Sequence, residues 1–495
     1  MLQLGIRGLG IARFKFSPLS WFSKGEQGAW YDPSDLTTLF QDSAGTTPMS
    51  AVGTVADQPV GLMLDKSKGL VLGAELVANG GPFINTTGWF GAGYPGIGTI
   101  TAINGEILFS CVDAANLFSY GFSVLPNTVY TIKWAVRRGT MSQLKYSIVD
   151  VTNTFNIVPS TLYSEGLNTV TFKTPATCTN AYFAPLRDSG ASGTMYLISA
   201  SIKQIAGNHA FQATAGNRPL LSARVNLLLA TATLSTQSVT TVATNYTLTF
   251  TGAGTVTLSG TATGVLSAGS NSFTATAGAL TLTVSGSVTL ADLRPTNSGA
   301  LLPPYQRVNT ATNYDTVGFP LYLKCNGSSS AMSTNSIDFT ATDKMTVVTG
   351  VRKLGSTLAM LCETSSDAST YNGSFFIAAP RNASDYSVLV RGTTIFTETT
   401  VSGYAAPITN VLSNLVNITS PSNAIKINGV QIANNTGSLG GGVYGNYPLY
   451  LFARAGTSFF LNGNFYGAII RGAQSDTNSV VQTENYMAKQ TGITF

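Results

Sequence analysis

The sequence contains few pairs of carboxylates spaced so that they could act together to cleave a glycosidic bond. Such cleavage normally uses two carboxylates flanking the bond, roughly 5–5.5 Å apart for retention or 6.5–9.5 Å for inversion. Glu363 and Asp367 come nearest to this requirement, in a Ser/Thr-rich stretch that indicates a solvated turn. The single histidine, His209, has no acid or nucleophile implied beside it, which favours a hydrogen-bonded structural role. We therefore expect that the protein is not an enzyme.

The cysteine spacing argues against a metal or redox site. No CxxC pair occurs, and the four cysteines lie far apart at Cys111, Cys178, Cys325 and Cys362. We expect buried thiols, which fit a protein that folds in a reducing compartment. A disulfide between Cys325 and Cys362 stays open as an alternative.

Weak sugar binding requires less than catalysis, since aromatic rings and amide or hydroxyl groups are enough. Two Gly-rich stretches supply such rings, and the glycan-binding candidates are Tyr444, Tyr447, Tyr450, Trp89, Phe90 and Tyr94. Asp385, Tyr386 and Arg391 are further candidates. The alternative is a packing role, in which Trp89 closes the end of a sandwich, Tyr450 faces a core and the other tyrosines cover loop edges.

Composition restricts the class of protein. A chain of 495 residues predicts three or four domains. Charged residues make up 10% of the chain against roughly 25% in ordinary soluble proteins, so Thr, Ser, Asn and Gly must cover the surface. The net charge is only +5 and the densest basic cluster is Arg137-Arg138, which argues against a nucleic-acid binder. No apolar run approaches the ~18 residues of a membrane span, and the first 22 residues make a poor secretory signal.

The elements that would position these side chains are predicted to be strands. Tyr130, Ile132, Trp134 and Val136 alternate with polar neighbours, as one buried face of a strand should. Asn-Gly pairs suit tight hairpin turns, and strands at this spacing indicate a β-sandwich over 69–206. Thr-rich alternation predicts a small β unit over 229–294 that acts as a spacer. The one predicted helix lies in the C-terminal tail, with Ser475 or Asp476 as its N-cap and Gly492 ending it.

Residues 24–68 alternate aromatic and turn-forming residues too closely for a packed domain. We expect an arm with exposed side chains that docks on another protein. Its predicted docking residues are Trp30, Tyr31, Leu36, Leu39, Phe40, Leu62 and Leu64. The alternative is an arm folded over the next domain of its own chain.

The amino-acid sequence of this stretch resembles a module found in tailed-bacteriophage and prophage virion proteins. The resemblance is carried by GEQGAWYDPSDLTTLFQDSAGTTP (25–48) and QPVGLMLDKS (58–67), with Val55-Ala56-Asp57 as a small insertion between them. It implies a virion structural protein, assembled in the host cytoplasm. A tail fibre is the favoured form, docked through residues 1–68 to a tail adaptor, nozzle or capsid protein. The alternative is a capsid decoration or head-fibre protein with only a structural role.

Later stretches resemble broader superfamilies. GAELVANGGPF and TMYLISASIKQI resemble the first and last strands of carbohydrate-binding-module-like jelly rolls, which often bind a structural calcium through an acidic residue of the closing strand. Here Ile198 or Ser199 occupies that position, so the calcium site lacks this ligand and no cofactor is expected. The ending NGNFYGAIIRGAQSDTNSVVQTENYMAKQTG resembles a laminin-G-like or concanavalin-A-like lectin sandwich. Hydrolases of that fold carry a Glu-x-Asp-x-x-Glu strand, which this chain lacks.

The predicted fold class is all-β, a modular chain of antiparallel β-sandwiches. In chain order we expect a docking arm (1–68), a jelly roll (69–206), a linker (207–228), a small β-sandwich (229–294), a second linker (295–315) and a lectin-like domain (316–495). The resemblance implies host surface recognition, with cell-surface polysaccharide, other virion proteins and further copies of this chain as partners. A glycan depolymerase is the third function considered. Membrane insertion is not expected.

Overall fold

The computed structural model describes residues 16–49, 58–91, 98–111, 117–187, 192–222, 226–241, 243–296, 305–310, 313–314, 321–493 and 495. Within these ranges the chain is mostly antiparallel strand, with three short 3-10 helices at Pro18–Trp21, Leu36–Thr38 and Ala215–Asn217 and an α-helix at Thr477–Thr491. The predicted all-β class, with several antiparallel sheets, is confirmed.

Two nine-stranded sheets form the largest unit, called here the large sandwich. The first sheet contains, in spatial order, Gln58–Pro59, Leu220–Ser222, Tyr322–Asn326, Asn462–Arg471, Lys344–Lys353, Ile408–Asn417, Ser422–Ile427 and Val430–Asn435, while Gly28–Tyr31 also pairs with Asn462–Arg471. The second contains Leu39–Phe40, Leu62–Met63, Ala210–Phe211, Met332–Asp338, Asn446–Leu451, Met360–Thr364, Ser374–Ala378, Tyr386–Arg391 and Phe396–Val401.

The large sandwich is discontinuous in sequence. Strand Gly28–Tyr31 pairs with the last strand of the chain, in a register that runs from Gly28 opposite Arg471 to Tyr31 opposite Ala468. Short strands from 58–63 and 210–222 extend the same two sheets. The predicted serial order, with 1–68 as a separate arm and 207–228 as a linker, is therefore wrong. The described strands of both segments complete the sandwich whose other strands come after residue 321, and the units between them in sequence are insertions.

Apolar side chains from distant parts of the chain share one core between the two sheets. Tyr31, Leu39 and Met63 from the N-terminal segment are buried in the same cluster as Phe452 and Phe465. The α-helix covers the outer face of the first sheet, where its Val480 and Met487 side chains lie beside two N-terminal tryptophans. Its ends match the sequence prediction, since Asp476 accepts a hydrogen bond from Ser479 N and Gly492 adopts a left-handed φ of 72°.

The first inserted unit, the middle sandwich, has two sheets. One contains Gly166–Lys173, Val129–Arg138, Gly193–Ile205, Glu106–Cys111 and Gly98–Ile103, with Leu72–Glu75 beside Gly193–Ile205; the other contains Phe155–Tyr163, Leu144–Asp150, Asn180–Arg187, Leu117–Ser123 and Trp89–Gly91. Tyr130, Ile132, Trp134 and Val136 are all buried between them, as their alternation predicts.

The second inserted unit is a five-stranded sheet curled around its own small core. Its strands are Gln237–Thr241, Gly278–Ser285, Thr244–Gly260, Gly264–Ala275 and Thr289–Pro295, and a two-stranded ladder of Val308–Thr310 with Asn313–Tyr314 follows. Tyr246, Leu248 and Phe250 lie on one buried face, and Leu280 and Leu282 lie on another. The alternation of these residues in the sequence predicts both faces.

A buried carboxylate fixes the point at which the middle sandwich leaves and rejoins the large sandwich. Asp65 accepts hydrogen bonds from the backbone N–H groups of Trp30 (2.7 Å), Ser67 (2.8 Å) and Asn208 (2.7 Å). The N–H of Asp65 in turn donates to Nδ1 of His209 (3.0 Å), whose Nε2 lies 3.1 Å from the carbonyl of Ile205. Burial lowers the pKa of His209, so the ring is a neutral, hydrogen-bonded structural group, as the sequence predicts.

Candidate functional site

The predicted docking residues do not form an exposed surface. Trp30, Tyr31, Leu39, Phe40, Leu62 and Leu64 are buried and Leu36 is half-buried. The ring of Trp30 meets Tyr486 of the α-helix edge-on at 6.0 Å, and the Tyr31 hydroxyl donates to the carbonyl of Asn208 at 2.6 Å. The expectation that these side chains stand free is wrong. Trp30, Tyr31 and Leu39 pack with residues of the C-terminal part of the chain. Phe40, Leu62 and Leu64 instead share a cluster with Val129 and Ile205 of the middle sandwich.

The aromatic candidates of the middle sandwich also divide by burial. Trp89 is buried, donates from Nε1 to the carbonyl of Asn79 at 2.8 Å, and packs against Phe118 and Tyr120. Trp89 therefore has the packing role given above as the alternative, because neither face of its ring is left exposed to a sugar. Phe90 is 46% exposed, and Tyr94 lies outside the described residues.

The three tyrosines of the C-terminal Gly-rich loop have different environments. Tyr444 is fully buried against Phe375, and burial raises its pKa. Tyr450 is half-buried within strand Asn446–Leu451. Tyr447 is half-buried at the start of the same strand, where its hydroxyl donates to the carbonyl of Asn372 at 2.9 Å. Tyr444 is thus excluded as a sugar contact, whereas Tyr447 and Tyr450 each keep part of their surface exposed.

Tyr447 belongs to a cluster at one end of the large sandwich that we call the aromatic patch: Tyr371, Asn372, Arg391, Phe396 and Tyr447. The rings of Tyr371 and Tyr447 meet edge-on at 6.0 Å. Arg391 Nε donates to Oδ1 of Asn372 at 3.0 Å, and the guanidinium lies 5.9 Å from the ring of Phe396. Tyr371 is 45% exposed and Phe396 is 50% exposed, so two rings, an amide and a cation are presented together at the surface.

Three chain segments build the aromatic patch. They are the loop after Met360–Thr364, the two strand ends on either side of the turn between Tyr386–Arg391 and Phe396–Val401, and the start of strand Asn446–Leu451, which follows the Gly-rich loop. The Gly-rich loop is fastened to the turn because Thr393 N donates to the carbonyl of Gly441 at 3.0 Å. Gly440 has a φ of 89°, and a Cβ there would lie 2.6 Å from the carbonyl oxygen of Ile395. Glycine is therefore required for this close approach.

Tyr371, Asn372 and Phe396 were not singled out from the sequence, and Arg391 was only a secondary candidate. The available signal is an aromatic residue beside Asn-Gly in a loop (Tyr371-Asn372-Gly373) and another two residues after Gly392-Thr393-Thr394. Such pairs are common in loops of β-proteins. Their proximity to Tyr447 depends on strand pairing that the sequence does not display.

The carboxylates that came nearest to a hydrolase pair are bound to a cation. Glu363 is fully buried, and its two oxygens lie 3.1 and 3.0 Å from Nε of Arg454. Asp367 lies 3.3 Å from Nη1 of the same arginine, and Glu363 also accepts from Ala368 N at 2.7 Å. The expectation of a solvated turn is wrong for Glu363, which is part of a buried ion-pair network.

Neither a metal cluster nor a membrane helix is found in the described part of the chain. No group of three or more His, Cys, Asp or Glu side chains there is arranged to hold a metal ion. Ile198 is exposed and Ser199 half-buried at the position where the resembling jelly rolls carry an acidic ligand. No helix of these residues is long and apolar enough to cross a membrane.

Comparisons with known proteins give partial overlaps only. No protein-family model matches the chain, and no curated protein sequence matches it. Among solved structures, the carbohydrate-binding module (CBM40) of Ruminococcus gnavus IT-sialidase bound to α2,3-sialyllactose shares 13% identity over 29% of this chain and 83% of its own, with a TM-score of 0.25.

Two further solved structures overlap with about a third of the chain. The binding domain of botulinum neurotoxin DC in complex with SialylT shares 12% identity over 34% of this chain and 43% of its own (TM-score 0.27). The NanB sialidase of Streptococcus pneumoniae shares 18% identity over 30% of this chain and 26% of its own (TM-score 0.24). Structural similarities this low do not indicate what this chain binds, and the candidate site is supported by its own geometry.

Proposed function

We propose that this chain is a non-catalytic virion structural protein, a tail fibre, that binds host-surface polysaccharide through the aromatic patch. The observation that carries the binding role is the patch itself, in which two exposed rings flank an amide and a guanidinium already held by hydrogen bonds. Aromatic faces attract the apolar C–H faces of sugar rings, and neighbouring polar groups bind the hydroxyls. Exposed apolar groups gathered at one place, with polar groups around them, are typical of binding surfaces.

Binding without bond cleavage is the favoured form of this activity. Glu363 and Asp367 share Arg454 as their partner, and Glu363 has no exposed surface. A general acid must reach the glycosidic oxygen, and a buried carboxylate that accepts three hydrogen bonds does not present itself to one. The ion-pair network supports a binding role over a depolymerase.

The virion and tail-fibre part of the proposal is supported by the sequence resemblance of residues 25–67. In the structure the described strands of this motif belong to the large sandwich and the predicted docking side chains are buried or half-buried, so attachment to a tail adaptor, nozzle or capsid protein would use other side chains. Imaging of intact particles by cryo-electron microscopy tests the location. Density for the chain projecting from the tail would support the tail fibre, and density on the capsid lattice would favour the decoration alternative.

The binding role is tested with the full-length protein, because a fragment of residues 305–495 would lack the strands contributed by 28–63 and 210–222. The double variant Tyr371→Ala/Phe396→Ala removes both exposed rings. A matched control is Phe155→Ala, since Phe155 is 46% exposed on the middle sandwich, away from the patch. Host cells and an array of bacterial surface polysaccharides serve as probes.

On every polysaccharide that the wild type binds, we expect the double variant to lose at least tenfold in affinity. Stacking of a nucleic-acid base on an aromatic ring contributes about 1–3 kcal/mol, and we expect the loss of two sugar-stacking rings to cost at least the lower figure. The control should bind like the wild type. A wild-type protein that binds neither cells nor any polysaccharide would overturn the binding role. So would a double variant that retains full affinity.

A further inference from the structure

Arg391 in the aromatic patch is a fixed cation. Its Nε donates to Oδ1 of Asn372 at 3.0 Å, and its Nη1 donates to the carbonyl of Ser369 at 2.7 Å. Two acceptors on different atoms hold the guanidinium plane in one orientation, so little side-chain entropy is left to lose when a ligand binds. The remaining N–H groups, on Nη2 and the second hydrogen of Nη1, form the end of the fork.

No acidic side chain among the described residues forms an ion pair with Arg391. Both of its acceptors are neutral oxygens, and Asp367, in the loop that supplies them, is paired with Arg454 at 3.3 Å. Other arginines of the large sandwich do have such partners, as in the pair of Arg381 with Glu398 at 2.6 Å. The positive charge of Arg391 is thus not neutralised by the described part of the chain.

The position of this cation matters because it approaches the ring of Phe396 and is hydrogen-bonded to Asn372, the neighbour of Tyr371. Tyr371 precedes the acceptor Asn372 in sequence, and Phe396 faces Arg391 across the strand pair, as Arg391 and Phe396 are register partners. A sugar stacked on either ring would bring its substituents within reach of the guanidinium. A planar carboxylate fits the end of a guanidinium fork with two parallel charge-assisted hydrogen bonds, and a neutral hydroxyl does not.

We propose that the aromatic patch selects acidic glycans, with Arg391 binding the carboxylate of a uronic-acid or sialic-acid-type sugar. This inference rests on the proposed function, because it names the ligand class of the same site. Phe396 and Tyr371 supply stacking that any sugar can use, and Arg391 supplies the discrimination by charge. A neutral glycan would leave the cation with water alone.

The test compares polygalacturonate and polysialic acid with the carboxyl-reduced form of each polymer. Reduction converts every carboxylate to a hydroxymethyl group and leaves the backbone unchanged. The variants are Arg391→Gln, which removes the charge, and Arg391→Lys, which keeps the charge but loses the fork. Arg381→Gln is the matched control, because Arg381 lies in the connection between strands Ser374–Ala378 and Tyr386–Arg391 and its charge is paired with Glu398. Thermal unfolding of each variant verifies the fold.

We expect the wild type to bind at least one native polymer about tenfold or more tightly than its reduced form. Arg391→Gln should reduce that ratio to about one without weakening binding to the reduced polymer, Arg391→Lys should give an intermediate ratio, and Arg381→Gln should leave it unchanged. Equal binding of native and reduced polymers by the wild type overturns the acidic-glycan inference and leaves the proposed function standing. Absence of binding to any polysaccharide overturns both.

Discussion

Replacing Leu39 with alanine separates two views of the N-terminal segment. If residues 1–68 formed an exposed docking arm, this substitution would have almost no effect on stability. In the structure Leu39 has no exposed surface and lies in the core of the large sandwich with strands from after residue 321. Its backbone pairs with Met63, and its carbonyl accepts from Met49 N at 3.1 Å. Truncation to alanine leaves these backbone bonds intact and removes only the packed side chain.

The expected cost follows from that enclosure. A fully buried leucine contributes about 1.5–3 kcal/mol through removal of its apolar surface from water. The cavity left by truncation adds to this loss, so that Leu→Ala in a core costs about 2–5 kcal/mol. For a unit of 150–250 residues each kcal/mol lowers the midpoint of thermal unfolding by about 2–4 °C, so a loss of about 3 kcal/mol corresponds to roughly 6–12 °C.

Differential scanning calorimetry of the full-length protein measures this shift. The transition of the large sandwich should move while those of the two inserted units stay in place, because their cores are separate clusters. Leu354→Ala is the matched control, since Leu354 lies in the large sandwich but is 40% exposed. If Leu39→Ala changes the midpoint no more than Leu354→Ala does, the N-terminal segment is not part of this core and our account of the fold is wrong.

Three further predictions concern buried polar groups. Asp65→Asn should destabilise the large sandwich by about 1–3 kcal/mol in urea unfolding, because an amide NH₂ replaces an oxygen that accepts a hydrogen bond. If Asp338→Asn, at an exposed position, had an equal effect, the loss could not be assigned to the buried hydrogen bonds of Asp65. Burial lowers the pKa of Lys173 to about 8. The lysine of the unfolded chain stays protonated up to about pH 10.5, so the free energy of unfolding rises with pH between about pH 8 and 10.5. Lys173→Met should remove that rise, which urea midpoints measured across this pH range would show. The buried cysteines should resist alkylation in the native protein and react fully in guanidinium, because burial raises the pKa of Cys178 and Cys362 to about 12. Mass spectrometry counts the alkyl groups added, and rapid labelling of the native protein would refute the burial of these thiols.

Local features of the sequence predicted local structure well. The alternation of Tyr130, Ile132, Trp134 and Val136 predicts a strand with one buried face, because successive side chains of a strand point to opposite sides. Asp476 and Gly492 predict the ends of the α-helix, because both act on backbone groups within a few residues. These features need no knowledge of what lies across the core.

The candidate site was predicted only in part. Tyr447 was identified because a tyrosine in a Gly-rich loop is a plausible sugar platform, and Arg391 was a secondary candidate. Tyr444, three residues earlier in the same loop, has the same local signal but is buried against Phe375. Local sequence does not distinguish the two, because burial depends on which element covers the loop.

The sequence by itself determined the all-β class, the positions of many strands and the helix, and the absence of a cysteine motif for a metal. Only the tertiary structure decided that strand Gly28–Tyr31 pairs with the last strand, some 440 residues later. It also decided that Tyr371 from a loop, Arg391 from the end of one strand and Tyr447 from the start of another form one patch. The physical reason is that backbone hydrogen bonds between strands are the same for nearly every sequence, and an apolar side chain can be buried by any apolar surface. Partner choice therefore depends on the packing of the whole chain.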